Sequence, residues 1–558
     1  VAALDRAFDY SLTDATAGVG VGDRVRVNLH GRSVRGWVEA LVEPEREMKP
    51  LTKWLGLAVP ASMVPLAEWA SRRWYGPRSR FLLAGSPDRV VTTVPASPPK
   101  VPLTADVAAG ALALAPGVVR LAPTIDPLAL VLHAYEQTRS RPGSLLVLVP
   151  TEAWARRLGG RLAQRGVPVA QPGQWELARA GWPVVVGSRG AAFAPVPVLA
   201  GAVVIDADDE LYRSEAAPTW HAAPVVRERC RQFEAPAWLC SPVPSPSLRF
   251  DATAVVVAPD QLGGWPRLEV ADRRRGDPRE GALSEVALAA ARAALAGAEP
   301  VAVAVVLQRL GRGRLFACQR CGELARCALC TMAEIEQDGR LACPTHDGSR
   351  EIFCRACGST RLRRVRSGVS TLARDVAAQL AQPVSEITAA RASEDPLERV
   401  VVGTEALWGR VRRCELVVFA DFDQYLLAPR ERARRDAVLA VAKAGRLVGG
   451  RREGRGSVVL QTRRGDDEVM RALADASFDE LDASEDETAR QLDLPPFAAT
   501  AEITGEGAEG FASSLAARGV RVRATGDGFV AVAPTVATLT AALALAERPA
   551  ARFRVAVN

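Results

Sequence analysis

Lysine is nearly absent from this chain: Lys49, Lys53, Lys100 and Lys443 are its only four among 71 basic residues, so the remaining 67 (71 minus 4) are arginines. Arginine bias of this kind, with abundant alanine, valine and glycine, is what a GC-rich genome produces. No lysine lies between Lys100 and Lys443, and no G-x-x-x-x-G-K-[ST] string occurs anywhere. A motor ATPase uses that loop to wrap backbone amides and a lysine round the phosphates, so its orthodox nucleotide site is excluded. Long apolar runs are missing too: no window reaches the ~18 uninterrupted apolar residues of a membrane helix. Residues 1–14 lack the basic-then-apolar layout of a secretory signal, and a cytoplasmic protein is expected. Aromatics are sparse at 5%, but 48% hydrophobic and 24% charged residues exclude a disordered chain. In a reducing compartment the 10 cysteines are not read as disulfides.

What is present begins with size. A chain of 558 residues exceeds one hydrophobic core, so several domains are expected. The net charge of +7 favours a polyanionic partner such as nucleic acid. Residues 1–97 alternate short apolar runs with Gly-Asp turns and close with a helix whose Met63, Leu66, Ala67, Ala70 and Trp74 share one face, predicting a small β-rich domain. The proline-rich stretch 95–100 reads as a linker. From 118 to 250, buried-strand runs alternate with helical stretches, the pattern of a parallel α/β lobe. The same pattern resumes over 251–315 and 361–490 as a second lobe, and 491–558 reads β-α-β-β-α-β, a small split βαβ domain. The fold class expected is multidomain α/β.

The insert at 316–360 carries the strongest signal. Its spacing is Cys318-x2-Cys321-x5-Cys327-x2-Cys330-x12-Cys343-x2-His346-x7-Cys354-x2-Cys357. Four consecutive ligand pairs make two tetrahedral sites, and thiolate and imidazole donors suit zinc. An iron–sulfur cluster is the less favoured metal reading. Asp338-Gly339 is a strong hairpin signal between the second and third pairs. It groups Cys327, Cys330, Cys343 and His346 on one ion and leaves Cys318, Cys321, Cys354 and Cys357 for the other. Gly322 and Gly358 follow the first and fourth pairs, where a left-handed backbone closes such knuckles. Cys230, Cys240 and Cys414 read as small buried hydrophobes.

The first lobe's opening strand leads into Leu121-Ala122-Pro123-Thr124-Ile125-Asp126-Pro127, which would not cradle a polyphosphate. Another strand ends in Asp206-Ala207-Asp208-Asp209; a relic or solvated strand end is favoured there over a magnesium site. Arg446, Arg451 and Arg452 read as a solvated or DNA-facing basic run rather than arginine fingers.

Taken together, these landmarks resemble the bacterial replication restart family PriA, the primosomal protein N′ family. Arg6-Ala7-Phe8-Asp9-Tyr10 followed by Gly22-Asp23-Arg24-Val25-Arg26-Val27 is similar to its N-terminal signature. Val185-Val186-Gly187-Ser188-Arg189-Gly190-Ala191-Ala192-Phe193-Ala194-Pro195 resembles its G-T-R-S-A-x-F-A-P segment, and Ser241-Pro242-Val243-Pro244-Ser245 its S-A-T-P-S. The zinc pairs correspond one for one, with His346 in place of a cysteine. Gly403-Thr404-Glu405-Ala406-Leu407, Asp421-Phe422-Asp423 and Leu494-Pro495-Pro496-Phe497 are further matches.

The departures concern ATP chemistry. The phosphate loop is absent, residues 206–209 stand where the family has D-E-E-H, and Q-V-A-G-R-A-G-R is reduced to Lys443-Ala444-Gly445-Arg446. About 25 residues separate the N-terminal domain from the first lobe, too few for the family's winged helix. The resemblance therefore implies a shortened form with two degenerate RecA-like helicase lobes, inactive as a helicase, for which ATP binding is in doubt. It implies a 3′-end pocket at Phe8, Asp9, Gly31 and Lys53. A ring can stack a base, glycine admits close approach, aspartate accepts from sugar or base, and lysine neutralises phosphate. The partners implied are forks and branched DNA with 3′ ends, single-stranded DNA, single-stranded DNA-binding protein and the primosome or helicase-loading proteins, in the cytoplasm at the nucleoid. The alternative reading is a residual ATP-dependent 3′ to 5′ helicase.

Overall fold

The computed structural model describes all residues except 1–5, 44–47, 251, 275–280, 309–315, 329–333, 338, 344–348, 365–368, 389–395, 429–430, 527 and 550. The chain forms two compact units, one of residues 1–120, 126–256 and 485–558, the other of 121–125 and 257–484.

In the first unit, β1 (Arg24–Leu29), β2 (Arg32–Trp37) and β3 (Lys53–Trp54) form an antiparallel sheet in the order β2-β1-β3. Alternation along β1 buries Val25 and Val27 with Val19 and Leu51 and turns Arg24, Arg26 and Asn28 to the other face. Gly22 is required by its backbone: its φ is +91°, and a Cβ there would sit 2.1 Å from the Val59 carbonyl oxygen. Asp23 beside it is buried and accepts from the Gly20 amide and the Trp54 indole. The helix Met63–Trp74 buries the face read from the sequence, and Trp74 continues through Phe81 to Phe193 in one hydrophobic core.

Next come β4 (Gly117–Arg120), β5 (Ser144–Leu148), β6 (Val169–Ala170), β7 (Val184–Gly187), β8 (Leu199–Val204), β9 (Ala237–Ser241) and β10 (Val255–Val257). They assemble in the order β10-β4-β9-β8-β5-β7-β6, with β4 to β9 all parallel. β5 is buried at all five positions, as a strand covered on both faces must be. The stretch read as a linker has no regular structure but is anchored, because Lys100 donates to the carbonyls of Thr138, the last residue of the helix Pro127–Thr138, and of Arg141 beyond it. A cation there complements the helix dipole.

The second unit carries β11 (Arg267–Asp272), β12 (Val303–Val306), β18 (Val384–Ile387), β19 (Val400–Gly403), β20 (Leu416–Phe419) and β21 (Ser457–Thr462), an all-parallel sheet ordered β11-β21-β20-β12-β19-β18. Between β12 and β18 the insert holds β13 (Phe316–Cys318), β14 (Ile335–Gln337), β15 (Arg340–Ala342), β16 (Ser349–Arg350) and β17 (Leu362–Arg364), with a small core of Phe316, Ala325 and Leu341. In the first unit, β22 (Ala499–Gly505), β23 (Arg521–Thr525), β24 (Gly528–Ala533) and β25 (Phe553–Val557) pair antiparallel in the order β23-β24-β22-β25, the split βαβ arrangement expected from the sequence.

The fold class is therefore multidomain α/β as read. The compact units cut the chain differently from that reading, at 256 and 484 rather than 250 and 490. Strand β10 bonds to the edge of the first parallel sheet, and the helix Asp479–Gln491 runs across the second cut, which no local composition change marks. Among the described residues no helix is long and apolar enough to cross a membrane.

Candidate nucleic-acid interface and metal centre

The turn joining β1 to β2 has two residues, His30 and Gly31, with φ of 48° and 78°. Two left-handed residues in succession make a type I′ turn, which matches the twist of its flanking strands. A Cβ added at Gly31 would meet nothing within 4 Å, so this glycine serves the turn and leaves open space at the hairpin tip. Phe8 is 45% exposed, unusual for a large ring, and Asp9 beside it is also exposed. Their segment is fixed by bridging of Ser11 to Pro50 and by the Tyr10 hydroxyl donating to the Asn28 carbonyl. Lys53 is exposed and opposes Arg26 across the ladder. All four residues read as an end pocket thus lie on the small N-terminal sheet or its flanking segment, at solvent.

In the insert, the sulfur atoms of Cys318, Cys321, Cys354 and Cys357 lie within 4.8 Å of one another. Two similar knuckles present them. In the first, the Gly322 amide donates to the Cys318 carbonyl and the Cys318 amide to Glu323; in the second, Gly358 donates to Cys354 and Cys354 to Ser359. Gly322 and Gly358 have φ of 75° and 71°, the left-handed closure expected. Sulfurs of opposite knuckles approach in pairs, Cys318 to Cys357 and Cys321 to Cys354, each at 3.5 Å. Burial opposes ionisation of the Cys318 thiol, yet the amides of Cys321 and Arg320 and the neighbouring thiols hold it down at about 6. Burial, and then the thiols of Cys357, Cys354 and Cys318, push Cys321 up to about 12. One negative charge is welcome here and a second is resisted, so the cluster fits a soft cation that all four sulfurs share.

The second ligand group is described only in part: Cys330 and His346 lie outside the described residues, while Cys327 is buried and Cys343 half-buried. The hairpin read from Asp338-Gly339 is present in its strands. β14 pairs with β15 in a register from Ile335↔Ala342 to Gln337↔Arg340, leaving a two-residue turn at Gly339, φ 74°; Asp338 itself is outside the described residues. Buried Glu334 fastens the hairpin to the fourth knuckle, accepting from Arg350 and Arg355.

Where a phosphate loop would deliver helix amides to a nucleotide, the chain places a carboxylate. Asp126 caps the helix Pro127–Thr138, accepting from the Leu128 amide at 3.0 Å, and also pairs with Arg161. Pro127 at the first helical position has no amide to offer. The sequence signal was the Asp-Pro pair, a helix-start signature.

Residues 206–209 are neither solvated nor open. Asp206, Asp208 and Asp209 are all buried; Asp208 accepts from the Ser245 amide and Asp209 from Leu211. The solvated alternative is thereby corrected: burial demands partners, and nearby amides supply them. The basic run is corrected in part: Arg452 is exposed as read, but Arg446 and Arg451 are half-buried. Arg446 donates to the Pro123 carbonyl and Arg451 to those of Pro266 and Ala474, so both brace backbone, while Arg452 pairs with Asp260. Cys230, Cys240 and Cys414 are buried as expected, and burial pushes the thiols of Cys230 and Cys414 up to about 12.

Sequence reading passed over the ladder row Arg35–Arg26–Lys53, which becomes visible only once the register is known.

Comparison with known proteins adds three findings. Residues 1–87 match the PriA 3′DNA-binding domain (3′BD). Two curated relatives are the probable replication restart protein PriA of Mycobacterium leprae, 28% identical over 443 residues, and that of Mycobacterium tuberculosis, 29% identical over 474. These alignments cover 67% and 72% of this chain and 66% of each relative, so the chain spans just under two thirds of their length. Among solved structures, the NS3-like helicase of Alongshan virus aligns over 68% of this chain and 80% of its own at 12% identity and a TM-score of 0.36. The chain is thus similar to the PriA replication restart proteins over about two thirds of its length, and its first 87 residues match their 3′DNA-binding domain.

Proposed function

We propose that the protein recognises abandoned replication forks through the 3′ end of the nascent leading strand and promotes reloading of the replicative helicase without unwinding DNA itself. The observation that carries this reading is the match of residues 1–87 to a 3′DNA-binding domain, in a sheet with exposed Phe8 and Asp9, an open glycine tip at Gly31 and an exposed Lys53. In this reading the ring of Phe8 stacks the terminal base, Asp9 accepts from the sugar or base, Gly31 admits the sugar, and Lys53 neutralises phosphate. Two zinc ions hold the insert, one on Cys318, Cys321, Cys354 and Cys357, the other on Cys327, Cys330, Cys343 and His346. The insert and the lobes form the surface for single-stranded DNA-binding protein and the helicase-loading machinery.

The Asp126 cap supports the inactive reading. A carboxylate at the helix start repels a polyphosphate and satisfies the amide that would bind it. DNA-stimulated ATP hydrolysis by metal-replete protein is the test: no turnover is expected, and turnover abolished by Asp206→Asn would establish the helicase reading instead.

A further inference from the structure

The outward face of the N-terminal sheet carries more charge than an end pocket requires. The fourteen residues of β1, β2 and β3, RVRVNL, RSVRGW and KW, include five cations and no carboxylate. Register places three of the cations in one row: Arg26 of the central strand lies directly opposite Arg35 on one side and Lys53 on the other. Directly opposed residues share a face and have Cβ atoms about 5 Å apart, and like charges so placed destabilise a sheet. Arg35 and Lys53 are exposed, Arg26 is half-buried, and among the described residues none of the three has an ion-pair partner. The acids nearest Arg26 and Arg35 in sequence are engaged elsewhere: Asp23 by Gly20 and Trp54, and Glu39 by Arg78.

The row also has a definite place. The hairpin tip with Gly31 stands above the pair Leu29↔Arg32, and Asn28↔Ser33 and Val27↔Val34 intervene before Arg26↔Arg35. Three ladder steps of about 3.4 Å put the row roughly 10 Å below the first rung, and two strand spacings of about 4.8 Å make it roughly 10 Å wide. The uncharged rung Asn28↔Ser33 lies between tip and row on the same face. At the far end Arg24 is occupied, donating to the Pro87 carbonyl and lying over the Trp37 ring.

We infer that Arg35, Arg26 and Lys53 form a cross-strand phosphate track, which holds the backbone of the nucleotides leading up to the 3′ terminus while the tip receives the terminus. This deepens the end-recognition reading and rests on it for the direction of the strand. The track supplies affinity without sequence information, and the tip distinguishes an end from an interior.

Counterion release gives a measurable signature, because each phosphate contact to a single strand adds about −0.7 to the slope of log K against log salt. The full-length protein is titrated between 50 and 200 mM salt with two oligonucleotides, one bearing a free 3′ hydroxyl and one a 3′ phosphate. Arg35→Gln is expected to shallow the slope by about 0.7, and Arg26→Gln with Arg35→Gln by about 1.4. Over that fourfold range the double variant would lose roughly sevenfold of the wild-type salt sensitivity. The ratio of affinities for the free and blocked ends should stay as in wild type, whereas Phe8→Ala should reduce that ratio. Arg26→Lys keeps the charge and should restore the slope, separating lost charge from lost folding. An unchanged slope in Arg35→Gln and the double variant would overturn the track. Loss of the end preference in wild type with the slope changes intact would overturn the end-recognition reading and leave the track standing as a general strand-binding surface.

Discussion

Removing metal from this protein should unfold the cysteine-rich insert and leave the two parallel sheets folded. Among the described residues, the insert's hydrophobic cluster buries Phe316, Ala325 and Leu341, with Ile352 and Leu362 packed against them. Burying a phenylalanine and a leucine contributes about 1.5 to 3 kcal/mol each, so the core supplies roughly 3 to 6 kcal/mol. A structural zinc site in a small domain contributes about 10 to 16 kcal/mol at neutral pH, so a zinc ion on these cysteines would stabilise the insert more than its core does. Without it, the thiol cluster retains only the resistance to charge seen at Cys321. Titration with a mercurial in the presence of a colorimetric zinc indicator should release two zinc ions per chain. Amide hydrogen exchange after chelation should show protection lost across Phe316–Cys318 and Arg340–Ala342 and retained in Ser144–Leu148 and Val303–Val306. Protection of Arg340–Ala342 that survives complete metal removal would refute the reasoning, since it would mean the small core alone holds the hairpin.

Three further outcomes follow from particular side chains. Asp482→Ala should destabilise the second unit by about 1.5 to 3 kcal/mol in urea unfolding, because it removes a charged hydrogen bond to Arg435, which is 1% exposed; a change under about 1 kcal/mol contradicts the buried pair. Gly22→Ala should destabilise the N-terminal sheet by at least about 1 kcal/mol, while Gly31→Ala, where a Cβ meets nothing, should cost less and act mainly on DNA binding; equal losses of stability contradict this. Asp421 is pushed up to about 7 by burial and then by Asp423, with Arg463 and Gln424 opposing. A carboxyl whose pKa rises on folding holds its proton in the native state between 3.8 and about 7, where the unfolded chain has released it, so its contribution to stability falls as pH rises through that window. Asp421→Asn should therefore gain stability relative to wild type as pH rises from about 4 to about 7; a difference that does not grow with pH contradicts this.

Much of this arrangement was legible in the sequence because local signals and tertiary context agree. The strands 400–403 and 416–419 are apolar runs buried at every position, and runs of that length fit no other element in a parallel sheet. The metal pairs and the glycines after them were legible because ligand spacing and left-handed closure are both short-range properties. What stayed hidden depends on partners far apart in sequence. The placement of β10 at the edge of the first sheet is set by pairing with β4, more than a hundred residues earlier, and three valines carry no address. The engagement of Arg446 by the Pro123 carbonyl was equally hidden, since a run of arginines looks solvated until its acceptors are known. The row Arg35–Arg26–Lys53 needed register, which a one-residue slip would have turned to the opposite face.

The central claim is that the N-terminal sheet reads a 3′ end at a fork. The most direct measurement is the affinity of the full-length protein for a synthetic fork whose leading strand ends at the branch with a free 3′ hydroxyl, against the same fork with that end blocked by phosphate and against plain duplex of equal length. Tighter binding to the free-ended fork, reduced towards the blocked value by Phe8→Ala, is the result expected. Equal affinity for all three DNAs would contradict the account.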